Sequence, residues 1–260
     1  MHWFVTDETN KNSVPGQFFI YGGLVATDEQ TLQIDAEVSR IRDKFGYRPG
    51  DSFKFQTAAR PAHVPIDKAR EAKQELIETL VRLGVRMITY VILHDIAASR
   101  SEEEVTNFAL NTVTQGYHSL LEEEECKGVM LIDRADEQHA HLGSLFQKGL
   151  SSDKWHGTVS DRIVLFGMTS DNASHLSSAV DIALGAFRYC VNTAGGAGLE
   201  VVAEKIFPPL AELIYGRDVS GVKHIGEKGY FARPKDVRKP TYEVRYRELA
   251  EALQKYAAQQ

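Results

Sequence analysis

Cysteine is nearly absent from this chain: two in 260 residues, Cys126 and Cys190, neither in a C-x-x-C pair nor at Cys/His ligand spacing. A disulfide framework and a cysteine-held zinc site are therefore excluded, and both thiols read as buried side chains of a reducing, cytoplasmic setting. Long apolar runs are missing too. No stretch approaches the roughly 18–20 residues that a bilayer crossing needs, and no basic segment followed by an apolar one marks a secretory signal. Repeats and low-complexity tracts are also absent. What remains, 43% hydrophobic and 25% charged residues, is the composition of an ordinary globular chain long enough to bury a core.

Excess positive charge is lacking as well, since the formal balance is −6. That balance is uneven. Between Arg217 and Arg247 nine basic residues face four acids, so this segment carries +5 and the rest of the chain −11. An acidic body with a basic, tyrosine-bearing tail suits a phosphate-rich partner such as nucleic acid. A solvated surface tail has the same composition, and both readings stand.

Hydrophobic periodicity divides the chain into alternating elements. "HWFVTDE" and "QFFIYGGLVA" read as two strands joined by a turn at Pro15–Gly16, and so as an antiparallel pair. Gly22 and Gly23 inside the second mark a bulge or a close approach. Capping-box patterns at Thr27 and Ser101 open two helices. A helix over 66–83 and strands over 85–93, 128–133 and 162–168 follow, with helices over 137–150, 174–192, 199–215 (interrupted at Pro208 and Pro209) and from Thr241. Hairpin pairing first and strand–helix alternation later predict an α/β fold, a mixed sheet with helices on both faces. The expected division is a domain over 1–195 and a basic, helical appendage over 196–260. In the last helix Tyr242, Tyr246, Leu249, Leu253 and Tyr256 form a stripe that either docks on the body or makes a homodimer seam.

Two apolar strands end in aspartate, "HWFVTD" at Asp7 and "GVMLID" at Asp133. A carboxylate at the end of a buried strand must be paired, hydrogen-bonded or metal-bound. Alternation puts Asp7 with Trp3 and Val5 and puts Glu8 on the other face, so the two acids cannot serve one site. In "SDNASHLSSAVDIALGAFRYC", Asp181 borders the core stripe of a helix, with Ser174 and Ser178 on the same flank. Three carboxylates from separate elements are hard oxygen ligands of the kind that suit Mg²⁺ or Mn²⁺. Each also reads singly as a turn, cap or surface residue. His139 and His141 diverge on their helix and look like a polar face, not a zinc site. His175 reads as a helix-start hydrogen-bonding group, and "AGGAG" over 194–198 lacks the strand that a phosphate loop needs.

These elements together, "VTDET", "FIYGGLVA", "SFKF", "MLID" and "SHLSSAVDIA", resemble the domain of unknown function 3800 family over residues 3–190. The resemblance implies a ribonuclease H-like fold with a mixed five-stranded sheet and divalent-metal-dependent nuclease or phosphodiesterase activity on nucleic acid. It also implies Asp7, Asp133 and Asp181 as Mg²⁺ or Mn²⁺ ligands and Lys54 as the basic residue facing the phosphate. Ser52 stands where the family carries a glutamate. That departure moves the missing ligand to Asp51, Asp136 or Asp171, or leaves a catalytically silent binding module.

Overall fold

The computed structural model describes residues 1–134, 138–152, 155–170, 173–193 and 200–257. Strand β1 (His2–Thr9) runs antiparallel to β2 (Phe18–Thr27), from His2 opposite Thr27 to Thr9 opposite Ile20. Helix α1 (Asp28–Lys44) starts from Thr27, whose hydroxyl accepts from Gln30 N–H while the Gln30 side chain accepts from Thr27 N–H. This reciprocal cap satisfies donors that a helix end otherwise leaves open. A 3₁₀ turn (Thr57–Ala59), α2 (Ile66–Arg82), β3 (Arg86–Leu93) and the short α3 (His94–Ala97) come next. Ser101 and Glu104 make a second capping box for α4 (Glu102–Glu123). Then follow β4 (Gly128–Asp133), α5 (His139–Lys148), a hairpin of β5 (Leu150–Ser152) and β6 (Trp155–Gly157), β7 (Ile163–Thr169) and α6 (His175–Thr193). The chain closes with α7 (Glu200–Leu213), a hairpin of β8 (Arg217–Val219) and β9 (Val222–His224), β10 (Tyr230–Ala232) and α8 (Pro240–Ala257).

The central sheet is mixed and has six strands in the order β10-β3-β2-β1-β4-β7, which corrects the expectation of five. The added strand is β10, which pairs parallel to Thr89–Val91 of β3. Three residues are too short to show a period, and they lie inside a basic stretch that reads as surface. Its effect is to cover the edge of β3, whose open backbone groups would otherwise invite another chain.

Alternation along the strands divides the core in two. On one face Val5, Ile20, Leu24, Met87 and Val91 pack under α1, α2, α6, α7 and α8. On the other, Phe4, Tyr21, Val25, Tyr90 and Met130 pack under α4 and α5. Gly22 and Gly23 resolve as close approaches: a Cβ at Gly23 would lie 1.9 Å from Val5 O, and one at Gly22 would lie 2.3 Å from Ile88 O.

Helix α7 runs through Pro208 and Pro209 where the sequence predicts a break. Proline in a helix interior costs about 3 kcal/mol. Here the flanking Ile206, Phe207, Leu210 and Ala211 are all buried, and their burial offsets that cost. The stripe of α8 docks on the body: Tyr246, Leu249 and Leu253 are buried in the same core. The Tyr246 hydroxyl accepts from Leu93 N–H at 2.8 Å and donates to Arg233 O at 2.7 Å. No helix among the described residues is long and apolar enough to cross a membrane.

Candidate functional site

The parallel register of β1 and β4 sets Thr6 opposite Ile132, so Asp7 and Asp133 are the next residues on neighbouring strands. In parallel strands, registered neighbours project to the same face. Leu131, two residues before Asp133, packs on the α6 side with Val5, and Ile132 packs on the α4 side with Phe4. Asp7 and Asp133 therefore both face α6. Asp133 is registered in turn with Thr169 at the end of β7. These three residues, with Ser170, Ser177 and Val180, line a cavity of about 10 Å³ at the carboxyl ends of the strands. That is room for a single water-sized occupant.

The first turn of α6 closes this cavity. Ser177 N–H donates to Ser174 Oγ at 3.1 Å, and the two hydroxyls lie 2.9 Å apart. The positive end of a helix dipole thus faces the two aspartates. Asp181, one turn along α6 from Ser177, accepts a 2.6 Å hydrogen bond from Phe55 N–H at Oδ2. The Asp7 carboxyl is pushed up to about 7, first by burial, then by the charges of Glu8 and Asp133, with a smaller push from Asp181; a hydrogen bond from Glu8 N–H works the other way. Burial and like charges both disfavour the ionised form.

Asp7 and Asp133 are thus brought side by side, and Asp181 bears on Asp7 through its field. The three do not form a tight cage. Among the described residues, the groups of three whose ligand atoms all come within 4.8 Å are His2–Glu124–Cys126 and His118–Glu122–Asp161. In each, one imidazole turns a different nitrogen to each partner: His2 to Glu124 at 2.9 Å and Cys126 at 3.0 Å, His118 to Glu122 at 3.5 Å and Asp161 at 3.0 Å. Arg86 also engages both Glu124 and His2. Both groups are held together by hydrogen bonds and ion pairs within the protein.

The other sequence candidates are placed as follows. Lys54 is half-buried in the loop just before Phe55, the residue whose N–H holds Asp181. Asp51 accepts from Arg48 N–H at 2.6 Å and pairs with His63 at 3.1 Å, so it is held within its own loop. Asp136, Glu137, Asp171 and the glycine run over 194–198 lie outside the described residues. His141 meets Asn111 at 2.7 Å, and His175 is tied to Asp35 at 3.0 Å on α1, so neither serves the aspartates. In the basic segment, Lys228 pairs with Glu123, and Arg233 and Lys235 pair with Glu227. The first of these pairs fastens the segment to α4, and the other two lie within the segment.

Lys73 was not singled out by sequence reasoning. It is 7% exposed. Its ammonium donates to Phe55 O at 2.6 Å, and its pKa is lowered to about 8 chiefly by burial, with Asp181 pulling upward. Phe55 is thus held at both backbone ends, by Asp181 and by Lys73. Thr169 and Ser177 were also missed, because hydroxyl residues are too common to signal a site. The chain matches no protein-family model and no curated protein.

Proposed function

We propose that this protein is a divalent-metal-dependent nuclease or phosphodiesterase of ribonuclease H-like fold, acting on nucleic acid, with Asp7 and Asp133 as direct ligands and Asp181 as the third carboxylate. The observation that carries the reading is the register that sets Asp7 beside Asp133 at the carboxyl ends of β1 and β4, under the N-terminus of α6. The mixed central sheet with helices on both faces supports the reading, and its sixth strand, β10, goes beyond the five that the resemblance implies.

The donor set fits the metal. The cavity offers carboxylates and hydroxyls, with no thiol or imidazole among its lining residues, and hard oxygens favour Mg²⁺ or Mn²⁺. Bound there, such an ion supplies Lewis acidity toward a phosphoryl oxygen and eases deprotonation of the attacking water. The protein's own part is positioning and charge. Asp7 and Asp133 define the place, the α6 N-terminus adds fixed dipoles beside it, and Lys54 brings a cation to the phosphate side. Cleavage of labelled RNA, single-stranded DNA and duplex DNA in Mn²⁺, Mg²⁺ and EDTA tests the proposal. Metal-dependent cleavage lost in Asp7→Asn supports it, and cleavage undiminished in that variant refutes it.

A second reading, a catalytically silent nucleic-acid or protein-binding module, is favoured by Ser52 together with the engagement of Asp51 by His63. It differs in outcome: binding persists in EDTA, survives Asp7→Asn and is accompanied by no turnover.

A further inference from the structure

A cleft of about 520 Å³ opens between α2, α6, α7 and the loop that carries Phe55. Its size falls within the range of small-molecule sites. Its cationic lining is Arg70, Lys73, Arg188 and Lys205, and its aromatic lining is Phe55 and Tyr189. Two acids at the rim already have partners. Glu71 lies 2.7 Å from Lys68, and Asp67 lies 3.7 Å from Arg70. Arg188 and Lys205 make no ion pair among the described residues. A chain of net charge −6 thus holds a pocket whose uncommitted charge is positive.

The aromatic wall is built into the fold. A Cβ at Gly185 of α6 would lie 2.4 Å from the Phe55 ring, so only glycine there lets the ring rest on the helix. Phe55 and Tyr189 have centroids 6.5 Å apart and planes inclined at 49°, and both line the cleft. The Lys73 ammonium lies 5.6 Å from the Phe55 ring centre and is fixed by Phe55 O. Aromatic faces recognise nucleobases through stacking, and arginine and lysine recognise phosphate.

We infer that this cleft binds a nucleotide, its base against Phe55 and Tyr189 and its phosphate on Arg188 and Lys205. The ligand is either a free nucleotide or the terminal unit of a strand. None of these side chains lines the aspartate cavity, although Phe55 N–H also holds Asp181, so the cleft adjoins the proposed metal site and is tested apart from hydrolysis.

Calorimetric titration of the full-length protein in EDTA tests it, with adenosine 5′-monophosphate, a 5′-phosphorylated oligodeoxyadenylate, adenosine and inorganic phosphate as separate probes. Saturable binding of the monophosphate, at least about tenfold tighter than adenosine or phosphate, is expected. It should weaken about tenfold or more in Arg188→Gln and in Tyr189→Leu, a loss of about 1.4 kcal/mol each. Lys205→Ala, at an exposed position, weakens it as well and covers the case in which Arg188→Gln does not fold. Tighter binding of the oligonucleotide assigns the cleft to a strand end, and tighter binding of the monophosphate assigns it to a free nucleotide. Phosphate binding as tightly as the nucleotide, no saturable binding at millimolar probe, or affinity unchanged in both folded cleft variants would overturn the inference. Running the titrations in Asp7→Asn as well keeps them independent of hydrolysis, since the cleft should bind equally in that variant.

Discussion

The two ends of strand β1 carry charge in opposite ways. At its start, His2 is buried beside Cys126, Glu124 and Arg86, and every charge there meets its opposite. Although burial works against it, Glu124 is held below its usual range by the hydrogen bond and charge of Arg86. At its far end, Asp7 stands with Glu8, Asp133 and Asp181, and the charges that push its carboxyl up are those three, with the Lys11 ammonium the nearby opposite charge. The nearby Lys11 is taken by Glu8 on the opposite face. A polar group at a strand end is therefore no sign of function in itself. One end is neutralised by its own ion pair, and at the other burial and the neighbouring carboxylates together hold Asp7 toward its protonated form.

The largest effect expected from breaking this contrast is on the proposed hydrolysis. Asp7→Asn and Asp133→Asn should each lower the metal-dependent rate by at least about 100-fold, about 2.7 kcal/mol of transition-state stabilisation. The double variant should be scarcely worse than either single one, because residues acting as a unit are not additive. Initial rates on one labelled substrate in Mn²⁺ check both statements.

Next is the dependence of stability on pH without metal. The folded protein holds the Asp7 proton up to about pH 7, whereas an unfolded aspartate releases it near pH ~4. Across that window the native state binds more protons, so stability falls as pH rises. Urea unfolding in EDTA should show a loss on the order of 1–3 kcal/mol between pH 5 and pH 8 attributable to this group. Asp7→Asn should remove that part of the slope and be the more stable protein at pH 8. Equal slopes in the two proteins would refute the account of a self-repelling end.

The neutralised end should behave otherwise. His2→Ala should cost about 1–3 kcal/mol by leaving buried polar partners unmatched, and should do so equally with and without Mn²⁺. The smallest effect belongs to Glu8→Gln. Although its charge is the first of those that push Asp7 up, its side chain lies on the other face and pairs with Lys11. The relief of Asp7 and the lost ion pair offset each other, so a net change of about 1 kcal/mol or less is expected, with metal response intact. Denaturant titrations with and without Mn²⁺ read both.

Much of this contrast is legible in the sequence, and the rest is hidden for identifiable reasons. Asp7 and Asp133 stand out because each ends an apolar strand, and alternation alone separates Glu8 from Asp7. The capping boxes at Thr27 and Ser101 locate α1 and α4, because their chemistry is local. Strand β10 is invisible because its pairing with β3 is made by tertiary contact and not by its own three residues. The passage of α7 through two prolines is likewise set by the burial of its neighbours. Lys73 had a signal that could have been read. It lies four residues after Ala69 and three before Leu76, on the apolar stripe of α2, where a lysine needs a partner. The partner, Phe55 O, comes from a loop that no periodicity places.

The most direct test of the central claim is thermal unfolding of the wild type, Asp7→Asn and Asp133→Asn during a Mn²⁺ titration. An ion that binds only the native state raises its stability by mass action. The account predicts a melting temperature that climbs with Mn²⁺ in the wild type and stays flat in both variants, each of which starts at or above the wild type in EDTA at pH 8. A rise in Asp7→Asn equal to that of the wild type would contradict it.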